Sequence, residues 1–215
     1  MTLSNTNRFM AGFCVAGAAM LVATRSIQSA VGEGSPRQVK VGQVTLTATG
    51  LTKENEDKTR KALLDIVRRK PNEEEVRPVT EVAVELEAKT LAISFKSDLS
   101  LALSEVERAL AGTGTLIDIK ALALRRGDRL AVNGVRSPEA AKNLEKTLQN
   151  ADLFQTVRVD YKEGENPATV MLGAPKEIEK PPMFVAIRTL IEQGDPAFKV
   201  TDVVWTGPTF PKSGR

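Results

Sequence analysis

The hydrophobic pattern along the chain repeats one order of elements twice. From residue 39, apolar and polar residues alternate until Gly50, which predicts a strand that ends at the glycine. Two later segments place apolar residues at helical spacing, and between them two alternating runs flank a short turn, which is typical of a β-hairpin. The first pass therefore predicts strands over 39–49, 82–86, 91–95 and 117–124 and helices over 54–69 and 99–110.

The second pass begins after Arg125-Arg126-Gly127-Asp128, which is typical of a turn or short linker. Ser137 is a good N-cap and Pro138 suits the first helical position, so a helix is predicted to begin there. The predicted elements of this pass are strands over 130–132, 157–161, 170–172 and 200–205 and helices over 138–148 and 184–191. Both passes predict the element order βαββαβ.

This order predicts an α+β fold of two tandem ferredoxin-like units, residues 39–124 and 129–205, joined by 125–128. Each unit is expected to be a four-stranded antiparallel sheet with two helices on one face. The second and fourth strands of such a sheet are its edges, so 82–87 and 117–124 are the predicted strand-addition sites. Leu122 and Leu124 are the predicted apolar contacts with a partner.

The first 30 residues resemble an export signal. An unbroken apolar run over 9–23 follows Arg8, and no acidic residue occurs before position 31. Fifteen apolar residues fall short of the roughly 20 that span a bilayer, which favours a cleaved signal peptide over a permanent anchor. A buried core helix is a further alternative, and the sequence does not fix the cleavage position. Residues 31–38 are interpreted as a linker and 206–215 as a disordered tail.

The composition disfavours several classes of function. The chain has no histidine and one cysteine, Cys14, so the usual neutral-pH acid/base and the usual soft-metal ligands are missing. Its 30 basic and 27 acidic residues are too balanced to indicate a nucleic-acid surface. Nucleophile, phosphate-loop and dinucleotide motifs are absent from the sequence, so we expect no enzyme activity and no cofactor. A mechanism that uses two carboxylates needs no histidine, and only geometry decides it.

The segment Gly50-Leu51-Thr52-Lys53-Glu54-Asn55-Glu56, followed by an alternating run over 82–95, resembles the heavy-metal-associated domain family. In that family a strand leads into a Gly-Met-Thr-Cys-x-x-Cys loop and then a helix. The resemblance implies a ferredoxin-like scaffold that docks similar domains through a helix and loop face. Here Lys53 and Glu56 occupy the two cysteine positions, so the family's soft-metal site is not carried over. Residues 132–135 resemble the loop more faintly.

Other clusters have ordinary structural interpretations. The acidic loop 72–75 lacks the spacing of a calcium loop, and the basic residues 68–70 lie where a helix end favours cations. The pair Arg125-Arg126 is likewise interpreted as ordinary surface charge. Trp205 and Tyr161 occupy alternating strand positions, which favours core packing over ligand stacking.

Together these features predict an exported, non-catalytic binding or assembly module of the periplasm or cell envelope, whose partner is another envelope protein. One alternative is a metal-handling protein with a degenerate site, which would bind a hard cation through carboxylates or meet a metal-loaded partner. A second alternative is a membrane-anchored structural subunit, which requires that residues 9–23 remain uncleaved.

Overall fold

Alternate side chains of the first strand are buried, and they form part of the core side of the first sheet. In the computed structural model, which describes residues 41–68 and 75–207, strand β1 (Val41–Thr49) buries Val44, Leu46 and Ala48. The residues between them are exposed or half-buried, as a strand with one face on a core requires. The next elements are α1 (Glu56–Leu64), β2 (Val79–Glu85), β3 (Thr90–Lys96), β4 (Ser100–Ala102), α2 (Leu103–Leu110), β5 (Leu116–Ile117) and a short 3-10 helix (Ile119–Ala121).

The first sheet has four strands in the order β2-β3-β1-β5, and all of its pairs are antiparallel. The β2–β3 hairpin lies where alternation predicted it. Strand β3 buries every second residue, because a period of two places alternate side chains on the core face, whereas β2 buries Val79 and Val82 on either side of a register shift. The sheet therefore confirms the α+β class and leaves β2 and β5 at its two edges.

The second sheet has five strands in the order β4-β9-β6-β8-β7, again all antiparallel. Its elements are β6 (Arg129–Asn133), α3 (Pro138–Asn150), β7 (Val157–Asp160), β8 (Ala168–Leu172), α4 (Phe184–Gly194) and β9 (Lys199–Thr206). Helix α3 begins as predicted, because the Ser137 hydroxyl accepts a hydrogen bond of 3.1 Å from the Ala140 N–H and Pro138 occupies the first turn.

The predicted strand over 117–124 is wrong. Pairing with β1 stops at Ile117, and the Asp118 side chain accepts a hydrogen bond from the Lys120 N–H that starts the 3-10 helix. The chain then runs beside the start of α4, where the Leu124 N–H donates to Pro182 O and the Phe184 N–H donates to Leu122 O. This path carries the side chains of Leu122 and Leu124 into the core, with 4% and 0% exposure.

The prediction of a helix from residue 99 also needs correction. Residues 100–102 form strand β4, which pairs with β9 about a hundred positions later, and α2 begins only at Leu103. The first half of the chain thus contributes the outermost strand of the second sheet. The described residues, 41–68 and 75–207, belong to one compact unit, and the division into two separately folded units stays a prediction.

Helix α1 is shorter than the predicted 54–69 and ends at Leu64, and Arg68 already forms a bridge to Val76. Trp205 lies in β9 and is buried, as predicted. Strand β9 extends one residue beyond the predicted strand, to Thr206, which the sequence assigned to the tail. No helix within residues 41–68 and 75–207 is long and apolar enough to cross a bilayer. The predictions for 1–30, 31–38, 72–74 and the rest of the tail lie outside the described residues.

The predicted linker 125–128 is a tight turn that contains a buried carboxyl group. Asp128 is 7% exposed and accepts a hydrogen bond of 2.7 Å from the Arg125 N–H. Burial raises the pKa of Asp128 from 3.8 to about 6, against the opposing effects of that bond and of the Arg125 charge. The turn therefore carries a carboxyl group that holds its proton more tightly than an exposed aspartate does.

We expect Asp128 to make the protein less stable at pH 7 than at pH 5. Its folded-state pKa lies above its ordinary value, so the folded state holds the proton more tightly. The group therefore destabilises the fold progressively as the pH rises from about 4 to about 6, and the change from pH 5 to pH 7 costs about 1 kcal/mol. Urea unfolding of the wild type and of Asp128→Asn at both pH values measures this. An Asp128→Asn variant with the same pH dependence as the wild type contradicts it.

Candidate functional site

The loop that resembles a metal-binding loop is closed by an amide side chain. Asn55 Oδ1 accepts a hydrogen bond of 2.8 Å from the Thr52 N–H, and Asn55 Nδ2 donates to Gly50 O at 2.8 Å and to Thr113 O at 3.3 Å. These bonds tie both ends of the loop together and join it to the turn that precedes β5. Its conformation is thus explained by hydrogen bonds within the chain.

Neither residue at the two cysteine positions is arranged as a metal ligand. The Lys53 side chain is exposed, and Glu56 Oε1 lies 2.6 Å from Arg60 Nη2, in an ion pair along α1. Below the loop, the hydroxyls of Thr59 and Thr115 lie 2.8 Å apart in a buried hydrogen bond. In the part of the chain that the structure describes, no three His, Cys, Asp or Glu side chains are placed to hold a metal ion.

The second sheet has side chains that cap both of its edges. At β7, the Val159 N–H donates a hydrogen bond of 2.9 Å to Glu145 Oε2, and Gln149 Nε2 donates to Val157 O at 3.3 Å. Gln149 also donates to the other oxygen of Glu145, which holds the two helix side chains against the strand. Backbone groups that another strand would need are therefore occupied by α3.

At the opposite edge, an ion pair caps β4. Arg68 Nη2 donates to Ser100 O at 2.6 Å, and the Ala102 N–H donates to Glu105 Oε2 at 2.9 Å. Arg68 and Glu105 form a two-point contact, with Nε to Oε1 at 2.6 Å and Nη2 to Oε2 at 2.5 Å. Burial raises the pKa of Glu105, but the hydrogen bonds from Arg68 and Ala102 outweigh it and hold the pKa below its usual range. The carboxylate stays charged and the cap stays formed.

Strand β2, in contrast, has an open outer edge. The Ala48 N–H donates to Lys89 O, so the odd-numbered residues of β3 face β1 and the even-numbered ones face β2. The β3 partners of Val82 and Val84 are odd-numbered, so the peptide groups of these two valines point away from the sheet. Within residues 41–68 and 75–207, no group hydrogen-bonds to them.

The side chains of β2 divide between two faces. Glu81, Ala83 and Glu85 are exposed on the face away from the helices, whereas Val82 is buried and Val84 half-buried on the core side. No basic side chain of the described residues forms an ion pair with Glu81 or Glu85. Their neighbours on β3 are uncharged. The open edge therefore carries two carboxylates without an ionic partner.

The structure places the other predicted residues in structural roles. The predicted edge 82–87 coincides largely with β2, which is an edge strand, whereas only two residues of β5 reach the other edge. The Tyr161 hydroxyl donates to Arg136 O at 3.0 Å. Glu75 is the residue of the acidic loop 72–75 that the structure describes, and it has an interaction partner. Leu122 and Leu124 are buried, so neither is available as the predicted partner contact.

The capping roles of Arg68, Glu105, Glu145 and Gln149 were not predicted from the sequence. Each lies beside or within a helix and has the sequence signature of an ordinary solvated charge or amide. Glu105 binds a backbone N–H three positions away, and the other three bind backbone atoms of strands 8 to 32 positions away. No local pattern marks these longer contacts.

Two solved structures are similar to this chain. No protein-family model and no curated protein matches the sequence. Among solved structures, the water-soluble region of the P-type ATPase CopA from Bacillus subtilis is similar, with 13% identity and a TM-score of 0.32. That match covers 82% of this chain and 99% of the other. The N-terminal soluble domains of Bacillus subtilis CopA match at 11% identity and a TM-score of 0.29, over 76% of this chain and 95% of the other. At such TM-scores neither match establishes a common fold or a function.

Proposed function

We propose that this protein is a non-catalytic binding module that takes an extended segment of another protein onto the outer edge of β2. The observation that carries this proposal is the contrast between the edges. Side chains occupy the backbone of β4 and β7, while the outward peptide groups of Val82 and Val84 have no partner among the described residues. An open edge strand is a ready template for pairing with another chain.

Backbone pairing at this edge contributes about 2–6 kcal/mol, so side-chain contacts must add to it before a specific complex forms. Val82 and Val84 together offer two N–H donors and two carbonyl acceptors, and each hydrogen bond contributes about 0.5–1.5 kcal/mol net. Strand β5 offers only two residues, Leu116 and Ile117, which is too short for a comparable ladder. The seven residues of β2 make it the better edge.

Two further elements of the proposal are predictions from the sequence. The tandem arrangement of two ferredoxin-like units is supported by the strand orders, since β2-β3-β1-β5 and the β9-β6-β8-β7 part of the second sheet follow the same pattern. Export to the cell envelope is supported by the apolar segment 9–23 and its preceding arginine. The partner is accordingly another envelope protein.

Replacing Val84 by Pro tests the proposal. Proline removes an N–H that points outward and leaves the inward ladder intact, the situation in which an edge strand tolerates it. Val84→Ala is the control, because it also removes the branched valine side chain and keeps the N–H. We expect heptapeptides selected from a random phage-displayed library on the wild type to bind Val84→Ala with similar affinity and Val84→Pro at least about tenfold more weakly.

Circular dichroism and urea unfolding establish that both variants are folded before binding is compared. Equal affinity of the selected peptides for Val84→Pro and the wild type would overturn the proposal. So would a library from which no peptide is selected. Either outcome would favour one of the two alternatives, a degenerate metal-handling domain or an anchored structural subunit.

A further inference from the structure

The two carboxylates of β2 indicate the chemistry of the segment that pairs with it. We infer, on the basis of the function proposed above, that this segment is a strand with Lys or Arg at two positions four residues apart and apolar residues between them on the other face. The basic residues lie beside Glu81 and Glu85, and the apolar ones lie beside Val82 and Val84.

The geometry of strand pairing sets this spacing. Side chains of an added strand alternate between the two faces, and those directly opposite β2 residues come within about 5 Å at the Cβ atoms. Glu81, Ala83 and Glu85 share the exposed face, so three partner positions, i, i+2 and i+4, lie beside them. The middle position faces the small Ala83 side chain and accepts residues of any size.

Charge complementarity favours basic residues at i and i+4. Neither Glu81 nor Glu85 has an ion-pair partner in the described parts of the chain, and their β3 neighbours are Ser94 and Thr90. Opposite charges directly across a strand pair are stabilising and like charges are destabilising. An added strand with acids at these positions is therefore disfavoured.

The same rule disfavours a second copy of this chain as the occupant. Antiparallel pairing of two β2 strands centred on Ala83 would place each Glu81 opposite the Glu85 of the other copy. Two like-charge pairs would then be formed in a single short ladder. The charges of this edge therefore favour a segment of a different protein that carries basic residues.

On the core side, the added strand continues an apolar surface. Val82 is buried and Val84 is half-buried against the helices, with Leu86 packed partly onto the same core. Partner residues i+1 and i+3 come next to these side chains, where an apolar group buries surface and a charged group would lose water. The predicted segment is therefore amphipathic with a period of two.

Three capped synthetic peptides test this inference: Lys-Val-Thr-Val-Lys, Gln-Val-Thr-Val-Gln and Glu-Val-Thr-Val-Glu. Titration of the full-length protein, followed by ¹⁵N NMR of the β2 amides, gives a Kd for each. We expect the lysine peptide to bind about five- to tenfold more tightly than the glutamine peptide at low salt, and the glutamate peptide to bind most weakly. High salt should reduce these differences, since the carboxylates are exposed.

Two double variants assign the effect to β2. Glu81→Gln with Glu85→Gln should make the lysine and glutamine peptides bind equally. The control, Glu163→Gln with Glu177→Gln, changes the net charge by the same amount at exposed loop positions and should preserve the preference. A control that abolishes the preference as completely as the β2 variant overturns the inference.

The outcomes separate the inference from the proposed function. If the glutamine peptide binds the wild type as tightly as the lysine peptide, and Val84→Pro still weakens both, the basic-segment inference is wrong and strand addition stands. If Val84→Pro leaves the binding of all three peptides unchanged, strand addition at β2 is overturned, and the inference with it.

Discussion

Replacing Leu124 by Ala is expected to lower the free energy of unfolding by about 3 kcal/mol, within the range of about 2–5 kcal/mol for a buried leucine. The Leu124 side chain is 0% exposed and lies in the segment that packs beside the start of α4. Truncation removes its apolar contacts and leaves a cavity, while the backbone bond from the Leu124 N–H to Pro182 O remains. Urea unfolding followed by circular dichroism measures the loss.

Leu116→Ala is the matched control for this prediction. Leu116 is 68% exposed at the edge of the first sheet, so the same truncation should change the unfolding free energy by less than about 0.5 kcal/mol. If Leu124→Ala left stability unchanged and instead weakened peptide binding, Leu124 would be a partner contact after all. The sequence-based interpretation of residues 122 and 124 would then be restored.

Predictions from the sequence were accurate where a structure depends on neighbouring residues. The start of α3 needs only Ser137 and Pro138, and both interactions are completed within one turn of helix. The β2–β3 hairpin depends on two short alternating runs and the turn between them, so its position is also a local property. These elements carry the α+β class, which the structure confirms.

Predictions failed where two distant segments determine the outcome. Leu122 and Leu124 alternate as a strand would, but the Asp118 cap turns the chain and α4 supplies the surface that buries them. Strand β4 has three residues and exists because β9 lies next to it, so no pattern within 100–102 could indicate it. Both errors concern the join between the two halves of the sequence.

The candidate site was predictable in position but not in detail. Topology indicated that the second strand of the first sheet is an edge, and β2 is one. Whether an edge is open depends on side chains from other elements, such as Glu105 at β4 and Glu145 at β7. On a helix of unknown orientation, these acids are indistinguishable from solvated charges. The contrast between capped and open edges therefore emerges only in three dimensions.

Replacing Gly134 by Ala should destabilise the protein by about 2–5 kcal/mol, because two costs add. Gly134 has φ +89°, a conformation that costs about 1–2 kcal/mol for a residue with a Cβ atom. A Cβ atom at this position would also lie 2.0 Å from Ala197 O and 2.7 Å from Ala197 C. Both are backbone atoms, so relief requires the turn before β9 to move, with a cost typical of overpacking.

Gly112→Ala separates these two costs. Gly112 has φ +81° and a Cβ atom there would meet nothing within 4 Å, so only the conformational cost of about 1–2 kcal/mol applies. The difference between the two variants in urea unfolding then measures the close approach at Gly134. Equal losses would show that the turn at Ala197 shifts at little cost. A Cβ atom at Gly50 would likewise lie 2.3 Å from Gly114 O, so close contact between the first loop and the turn before the last strand occurs in both halves.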